Sequence, residues 1–353
     1  MQEFTSNTGH IPDLDREKMR NIAIVGCGFS GSLLAYMLPE LGYNVDVYEQ
    51  HSHPKVVCAG GIPTSLLDET AREYGLDSQK YVKWHGKQLF VKISSKAFAL
   101  DIDDFCTFDK QNFISDIIKK SKAYFHFKNS PGFQQLSKYD LVIDASGNRS
   151  ILGKLPTDKF YVCYQVRAFF EKPPYPDFLM DFTKPDGDPW YLWMFPLSNN
   201  EFYLGCGASR GKLAKSAVQN FINEHHGEIL EEQGKILLVN SPQKSMPFIK
   251  DKVVGVGNNV GAITSLGEGN ALSITTVKLL LNSLTALNEY QKQLLEKLGW
   301  LKHDHAAHAN WSKNELKFLY HTTKCFHHYK TQFKMSPKQV VTRGFKARLQ
   351  ALF

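Results

Sequence analysis

The chain has 353 residues, of which 42% are hydrophobic and 22% are charged, and its formal net charge is +7. This length leaves room for two hydrophobic cores, and the composition excludes a disordered or fibrous chain. No apolar run approaches the roughly 20 residues of a membrane-spanning helix, and the six scattered cysteines, with no Cys-x-x-Cys pair, argue against a zinc site or a disulfide framework. We therefore expect a cytoplasmic protein without a bound metal, with the polar residues 1–20 as an N-terminal extension.

The first predicted unit is a strand, a glycine turn, a helix that begins near Ser30, and a second strand that ends at Glu49. In a Gly-x-Gly-x-x-Gly turn, the first glycine permits the tight turn and the second lets the backbone approach a pyrophosphate. The third lets the helix pack on the strand. An acid about 20 residues further on accepts hydrogen bonds from a ribose. The unit therefore predicts a dinucleotide site with phosphates at the helix N-terminus. Its glycines are Gly26, Gly28 and Gly31.

The middle of the chain changes from mixed to β-rich patterns. A small-residue loop over 57–63 precedes a polar helix over 65–74, and apolar residues alternate over 88–101, which predicts a half-buried hairpin. Helical spacing follows over 113–118, and a buried strand leads into Asp144-Ala-Ser-Gly147. Residues 160–206 are rich in β-formers and predict an antiparallel sheet.

The last third alternates between helical and strand patterns. Residues 213–234 have helical spacing, and 236–239 predict a strand. A buried strand over 253–257 is followed by Leu266-Gly-Glu-Gly269 and by one long predicted helix over 270–287. The chain is helical from 290 onward, and its end is basic.

Nucleotide-type elements thus occur at both ends of the chain, with β-rich segments inserted between them. We predict a discontinuous nucleotide-binding domain over 21–87, 106–158 and 248–289. The predicted substrate-binding β-sheet domain covers 88–105 and 159–247, and a helical, basic C-terminal region covers 290–353.

Over residues 20–290 the motifs resemble those of the geranylgeranyl reductase family of FAD-dependent oxidoreductases, within the aromatic hydroxylase-type flavoprotein fold. The glycine turns and Asp144-Ala-Ser-Gly147 are shared by many FAD enzymes. The Cys58-Ala-Gly-Gly61 loop and the Tyr191-Leu-Trp-Met-Phe-Pro196 segment are similar to motifs particular to the reductases. The resemblance implies an α/β fold: a split Rossmann-type FAD-binding domain, an inserted antiparallel β-sheet and a helical C-terminal region.

The resemblance also implies which residues bind FAD. The strand that ends at Gly257 precedes one long helix and no second acid, which indicates a further contact with the same FAD. Asn258 stands where the fold usually has an acid, and Lys110 stands where the family has arginine; a surface role for Lys110 is the alternative. The expected FAD contacts are Gly26, Gly28, Phe29, Ser30, Gly31, Glu49, Gln50, Gly60, Gly61, Lys110, Ala145, Gly147, Gly257, Asn258, Gly261, Gly267 and Gly269.

The expected reaction chamber combines a thiol with aromatic side chains. Strand alternation places Tyr191, Trp193 and Phe195 on one face, either as a wall that grips a prenyl chain or as ordinary core. Cys58 is a candidate proton donor, or a small buried hydrophobe. The catalytic candidates are Cys58, Tyr191 and Trp193, and the substrate contacts are Gly61, Tyr191, Trp193, Phe195 and Pro196.

The implied activity is reduction of prenyl carbon–carbon double bonds by hydride from flavin N5, on a prenylated lipid or a prenyl diphosphate. NAD(P)H and ferredoxin both remain open as electron donor. The basic residues over 330–348 suit a solvated surface or an anionic membrane to which the protein is peripheral, and no motif indicates nucleic acid. The alternatives are an FAD monooxygenase of an aromatic or quinone substrate and a non-catalytic FAD-containing binding protein.

Overall fold

The computed structural model describes residues 20–93, 96–182, 189–310 and 315–333. It confirms the predicted fold class: a Rossmann-type unit, an inserted and mainly antiparallel sheet, and helices that follow in the C-terminal region. The predicted N-terminal extension up to residue 19 and the basic residues from Lys334 to Arg348 lie outside the described residues.

The nucleotide-binding sheet has six strands among the described residues, in the order β15-β16-β9-β1-β2-β8. All neighbours are parallel except β15 and β16. Helices cover this sheet, and its central strands are apolar and buried for that reason. The strands are β1 (Asn21–Val25), β2 (Asn44–Glu49), β8 (Tyr124–Phe127), β9 (Leu141–Asp144), β15 (Ile249–Lys250) and β16 (Val253–Gly255).

The helices fall into three groups. Helix α1 packs on β1 and β2 and contacts α3 and α6, so it is apolar around most of its circumference. Helix α5 covers the inserted sheet, and α7 to α9 form the C-terminal region. The helices are α1 (Phe29–Glu40), α2 (Thr64–Glu73), α3 (Lys110–Lys120), α4 (Phe133–Leu136), α5 (Gly211–Glu224), α6 (Asn270–Asn282), α7 (Leu287–Leu298), α8 (Leu301–Asn310) and α9 (Glu315–Phe333).

The inserted sheet has seven strands within the described ranges, in the order β14-β10-β13-β12-β11-β5-β6. Neighbours are antiparallel except β11 and β5. One face packs against α5, and the other belongs to a second apolar cluster that faces the nucleotide-binding unit. The strands are β5 (Gln88–Ile93), β6 (Lys96–Asp101), β10 (Phe160–Phe169), β11 (Phe178–Asp181), β12 (Pro189–Pro196), β13 (Glu201–Ala208) and β14 (Glu228–Leu238).

A small antiparallel sheet has its strands in the order β3-β7-β4, and strands β5 and β6 of the inserted sheet separate β4 from β7 along the chain. Its first strand continues directly from the cysteine–glycine loop, so pairing with β7 fixes the position of Gly60 and Gly61. The strands are β3 (Gly61–Ile62), β4 (Val82–His85) and β7 (Cys106–Phe108).

The prediction of helix over 213–234 is wrong in its second half. Helix α5 ends at Glu224, His226 adopts a left-handed conformation with φ of 53°, and strand β14 begins at Glu228. Because β14 is an exposed edge strand, it carries Glu, Gln and Lys on both faces. That composition resembles a solvated helix more than a buried strand.

The helix predicted over 270–287 is shorter than predicted, and the helical region predicted from 290 begins at Leu287. Helix α6 ends at Asn282, a turn follows, and α7 begins at Leu287. Asn282 and Ser283 are weak helix formers because their side chains compete for backbone hydrogen bonds. Leu287 and Tyr290 of the second helix are then free to pack in the core beside β16.

Candidate nucleotide and substrate cavity

A cavity of about 710 Å³ lies where the nucleotide-binding sheet faces the inserted sheet. On one side it is lined by the carboxyl ends of β1, β2, β9 and β16 and the loops that follow them. On the other side it is lined by β10, β12 and β14. The carboxyl edge of a parallel sheet is where such folds bind ligands, and the volume is within the usual range of about 300–1,000 Å³.

Most of the sequence-predicted site residues line this one cavity. Three do not: Gly31 packs inside the glycine turn, Gly261 lies against the backbone of Ser241, and Pro196 is buried at the end of β12. The predicted residues in the lining are Gly26, Gly28, Phe29, Ser30, Glu49, Gln50, Cys58, Gly60, Gly61, Lys110, Ala145, Gly147, Tyr191, Trp193, Phe195, Gly257, Asn258, Gly267 and Gly269.

The glycine turn has the geometry of an anion site. Gly26 has a φ of 98°, and a Cβ there would lie 2.7 Å from the carbonyl oxygen of Ala145. A Cβ on Gly31 would lie 2.0 Å from the Gly26 carbonyl oxygen, so only glycine allows this close packing of helix on strand. Helix α1 begins after Gly28 without a side-chain cap or an acidic residue in its first turn. Its first N–H groups therefore remain available to a phosphate.

Glu49 lies at the end of β2 and is held in place by the backbone. Its Oε2 accepts a hydrogen bond from the N–H of Cys27 at 3.0 Å, and its Oε1 accepts one from the N–H of His51 at 3.0 Å. The side chain is buried yet lines the cavity. Each carboxylate oxygen has further lone pairs, so the group can also accept hydrogen bonds from sugar hydroxyls.

A buried polar network holds the loops on the far side of the cavity. Asp144 is fully buried and accepts hydrogen bonds from the N–H groups of Ile151 and Leu152, both at 2.9 Å, and from the side-chain amide of Asn259 at 2.8 Å. The guanidinium of Arg149 donates to three backbone segments, including the carbonyl of Asn259 at 2.7 Å. The loop after β9 and the turn after β16 are therefore fixed to each other.

The aromatic side chains of β12 form one wall of the cavity. Tyr191, Trp193 and Phe195 are buried in the cluster that faces the cavity, whereas Leu192 and Met194 pack on the opposite face against α5, as strand alternation predicts. The rings of Tyr191 and Trp193 are 5.6 Å apart between centroids. The wall is therefore both a face of the core and a surface of the cavity.

Two polar atoms on this wall have partners that fix its rings. Trp193 Nε1 donates to Oε1 of Gln165 at 3.2 Å, and Tyr191 donates to the carbonyl of Leu266 at 2.5 Å. Burial raises the pKa of the Tyr191 hydroxyl well above its ordinary value, so it stays a neutral donor. The wall thus offers an apolar, stiff surface with few free polar groups.

Cys58 lines the same cavity as this wall, close to Lys110 and Asn270. The N–H of Gly60 donates to Cys58 Sγ at 3.4 Å, the side-chain amide of Asn270 donates to it at 3.7 Å, and Lys110 donates to Oδ1 of Asn270 at 2.6 Å. Burial alone would raise the pKa of the Cys58 thiol, but the Lys110 charge and these hydrogen bonds outweigh it, and the pKa lies below its ordinary value. Burial lowers the pKa of Lys110. Lys110 is therefore a cavity residue and not a surface lysine.

Sequence reasoning missed several residues of the cavity, among them three polar ones. Asn270 at the start of α6, Gln165 on β10 and the exposed Lys235 on β14 all line it. Asn270 lies 212 residues from the cysteine that it contacts, so no local spacing connects the two. The one available signal was the position of Asn270 directly after Gly269, at a helix start beside the second glycine motif.

The C-terminal helices reach the cavity through a loop that they hold in place. The carboxylate of Asp304 accepts hydrogen bonds from the N–H of Ser265 at 2.5 Å and from its hydroxyl at 3.1 Å. The ring of His305 makes a 3.0 Å hydrogen bond to the carbonyl of Ile263. Helix α8 thus positions the loop that carries Leu266, Gly267 and Gly269 into the cavity.

Comparisons with known proteins match this geometry at the level of the fold. The sequence pattern of an NAD(P)-binding Rossmann-like domain matches residues 24–59. An uncharacterized protein of Methanocaldococcus jannaschii is 22% identical over 307 residues, which cover 73% of this chain and 81% of that protein.

Among solved structures, a geranylgeranyl bacteriochlorophyll reductase-like protein from Thermoplasma acidophilum has a TM-score of 0.65 and 17% identity, and the match covers 87% of this chain and 88% of that one. The flavin-dependent halogenase CmlS has a TM-score of 0.61 and 16% identity, over 86% of this chain and 67% of that one. PqsL, a probable FAD-dependent monooxygenase from Pseudomonas aeruginosa, has a TM-score of 0.59 and 12% identity, and the match covers 86% of this chain and 100% of that one. The predicted resemblance is confirmed as a shared fold.

Within the part of the chain that the structure describes, no helix is both long and apolar enough to cross a bilayer.

Proposed function

We propose that the protein is an FAD-dependent oxidoreductase that reduces prenyl carbon–carbon double bonds. The observation that carries the proposal is that one cavity joins the glycine turn of a dinucleotide site to an apolar aromatic wall and a thiol. The reductase-like structural neighbour supports the class of enzyme. The wall and the thiol support the finer assignment to an alkene substrate without polar groups near the reacting bond.

FAD fits the residues of the cavity. The uncapped start of α1 and the close-packed turn at Gly26 suit its diphosphate, and Glu49 suits the adenosine ribose. The start of α6 also lacks a side-chain cap, whereas in the turn after β16 the N–H of Gly257 donates to the hydroxyl of Thr276 at 3.0 Å; Gly257, Asn258 and Gly269 all line the same cavity. These residues would hold the flavin end beside Cys58 and the aromatic wall.

When bound and reduced, FAD supplies a hydride to one alkene carbon. The other carbon must receive a proton, and the thiol of Cys58 is the cavity group that we assign to this role. Tyr191, Trp193 and Phe195 would hold the prenyl chain and exclude water, because their rings are stiff and buried in the apolar cluster that faces the cavity. An isolated double bond is a poor hydride acceptor, so positioning must contribute a large share of the rate.

The rim of the cavity suits an amphipathic substrate. Lys235 and Leu237 on the edge strand β14 both line the cavity, and strand alternation places them on the same face, opposite Cys163 and Tyr161 of β10. An apolar side chain beside a cation at the edge of the cavity suits a prenyl chain that carries an anionic head group. A prenylated lipid in an anionic membrane and a soluble prenyl diphosphate share this chemistry, and we propose both as substrate classes.

The test begins with the absorption spectrum of the purified protein after addition of FAD. The bound flavin is then reduced chemically under anaerobic conditions, and a prenylated lipid or geranylgeranyl diphosphate is added. We expect flavin reoxidation and a product heavier by two hydrogens for each bond reduced. A protein that binds no FAD refutes the proposal, and so does a reduced flavin that no prenyl compound reoxidises.

A monooxygenase is the second candidate, because a probable monooxygenase shares the fold over 86% of this chain. It predicts oxygen consumption in the presence of NAD(P)H and an aromatic substrate. The reductase predicts turnover without oxygen. The anaerobic experiment therefore separates the two, and a flavin that reacts with neither class of substrate indicates a binding protein.

A further inference from the structure

We infer that Asn270 and Lys110 are positioning residues that hold Cys58 as a thiolate, paired with the Lys110 ammonium, on the wall of the cavity. Asn270 was not among the site residues predicted from the sequence. The thiolate itself does not depend on the proposed function, whereas its use as a proton relay rests on it.

The orientation of the Asn270 amide is fixed by partners other than the cysteine. Lys110 has only donors, so the atom that accepts from it at 2.6 Å must be Oδ1. The other amide atom, Nδ2, donates to the carbonyl of Gly61 at 2.8 Å. Since Nδ2 carries only hydrogens, its 3.7 Å contact with Cys58 Sγ makes the sulfur an acceptor.

The rest of the surroundings of the sulfur are donors too. The N–H of Gly60 points at Sγ from 3.4 Å, and the Lys110 ammonium, which is bonded to the same Asn270 side chain, acts on the sulfur through its positive charge. Oδ1 of Asn270 could accept from a Cys58 thiol, but it lies 4.0 Å from Sγ, whereas its bond from Lys110 is 2.6 Å long and therefore much stronger. Two hydrogen-bond donors and a nearby cation stabilise the negative form of a thiol.

The charge on Lys110 has its own support. Its ammonium lies 4.8 Å from the centre of the Phe29 ring, a cation–π contact that stabilises the charged form. Besides Lys110, the ionisable groups near Cys58 on the neighbouring elements are one cation, one thiol, two phenols and the carboxylate beside Tyr191. They are Lys235, Cys163, Tyr191, Tyr203 and Glu268.

The other five cysteines form an internal comparison. Burial raises the pKa of each of them, to about 11 for Cys163 and about 12 for Cys106, Cys206 and Cys325, and Cys27 is shifted in the same direction. Cys58 alone among the six lies in a shell of donors beside a cation. It should therefore be the one cysteine that reacts as a thiolate near neutral pH.

In the proposed reduction, the pair of Cys58 thiolate and Lys110 ammonium holds one proton that can be transferred to the substrate. The proton passes from Lys110 Nζ to Cys58 Sγ, and the S–H bond then breaks as the new C–H bond forms on the alkene. The electron pair of the S–H bond stays on sulfur, which returns to the thiolate, and Lys110 is left neutral. Solvent at the cavity mouth then reprotonates the amine, and the pair is restored.

The test is the pH dependence of iodoacetamide alkylation of Cys58 in the full-length protein, with the modified peptide identified by mass spectrometry. An ordinary thiol has a pKa of about 8.5, so its rate falls tenfold for each pH unit below that value. We expect a wild-type midpoint below that value. Lys110→Met should lower the rate at pH 7 by at least about tenfold, equivalent to one pKa unit. Lys110→Arg should restore it.

Asn270→Ala tests the bridge, and Lys119→Met is the matched control, since Lys119 lies on the same helix with an exposed side chain. Asn270→Ala should raise the midpoint, and Lys119→Met should leave it unchanged. A wild-type midpoint at or above 8.5, or equal rates for Lys110→Met and Lys119→Met, would overturn the inference. If the shifted profile is found but no prenyl compound is reduced, only the proposed function fails.

Discussion

A substitution at Gly28 should change the affinity for FAD without changing the stability of the fold. The residue precedes α1 with a φ of −73° and a ψ of −161°, and an added Cβ would meet nothing within 4 Å. Alanine is a poorer N-cap than glycine, but it also restricts the unfolded chain by about 0.4–1 kcal/mol. We therefore expect Gly28→Ala to change the free energy of unfolding by less than about 1 kcal/mol.

Binding of FAD should respond differently, because Gly28 lines the cavity. A methyl group at this surface keeps phosphate oxygens beyond the roughly 2.9 Å that a hydrogen bond to a backbone N–H requires. Loss of two charge-assisted hydrogen bonds at about 1.5 kcal/mol each weakens binding by about 3 kcal/mol. The dissociation constant of FAD should rise about a hundredfold.

The assay is a titration with FAD, followed by the change in flavin fluorescence, beside thermal unfolding of each variant. Gly132→Ala is the matched control: it also precedes a helix in an extended conformation, has nothing within 4 Å of its Cβ position, and lies outside the cavity. Gly31→Ala should instead lower both stability and FAD affinity, because its Cβ would lie 2.0 Å from a carbonyl oxygen. Wild-type affinity in Gly28→Ala would refute the placement of the diphosphate.

Three further predictions concern the aromatic wall of the cavity, the hydrophobic core and the loss of stability at low pH. Trp193→Leu should retain FAD affinity but lower prenyl reduction by at least about tenfold, or 1.4 kcal/mol, as measured from product mass. Tyr290→Phe should lower the free energy of unfolding in urea by about 1–2 kcal/mol, because its buried hydroxyl donates to a buried carbonyl at the end of β16. Hydrogen bonds from Lys80 and Lys119 hold the pKa of Asp116 well below its ordinary value. At a pH between the lowered pKa in the folded state and the ordinary pKa of about 3.9 in the unfolded state, the unfolded chain binds more protons. The stabilisation from Asp116 is therefore complete above about pH 4 and is lost as the pH falls. Asp116→Asn should flatten that decline in acid unfolding curves.

Local sequence patterns predicted the parts of the fold that local physics determines. The glycine turn between β1 and α1 is specified by three residues within six positions, and strand alternation placed the side chains of β12 on their correct faces. Where composition and environment disagree, the predictions were wrong. Strand β14 is polar because it is an exposed edge, and its residues therefore resemble a solvated helix.

The candidate site follows the same division. Glycines that line the cavity were visible because glycine is needed where backbone must come close to another group, as at Gly26. The side chains that control the charge of the cavity were not visible. The contact of Asn270 with Cys58 exists only because β3 and the start of α6 come together in the folded chain, and Lys110 reaches the same point from α3.

The three residues that set the charge of Cys58 also hold the cavity in shape at the flavin end. Cys58, Lys110 and Asn270 come from three separate elements, yet each also helps to hold the glycine loop or the start of α6, through Gly60, Gly61 or one another. The group that would give up a proton is therefore fixed by the same contacts that shape the flavin end of the cavity. A shift of the loop away from the cofactor would also remove the hydrogen bonds that favour the thiolate. Variants of Asn270 should accordingly lose both proton storage and cofactor placement. Variants of Lys110 leave the bond from Asn270 to Gly61 intact, so they should lose proton storage alone.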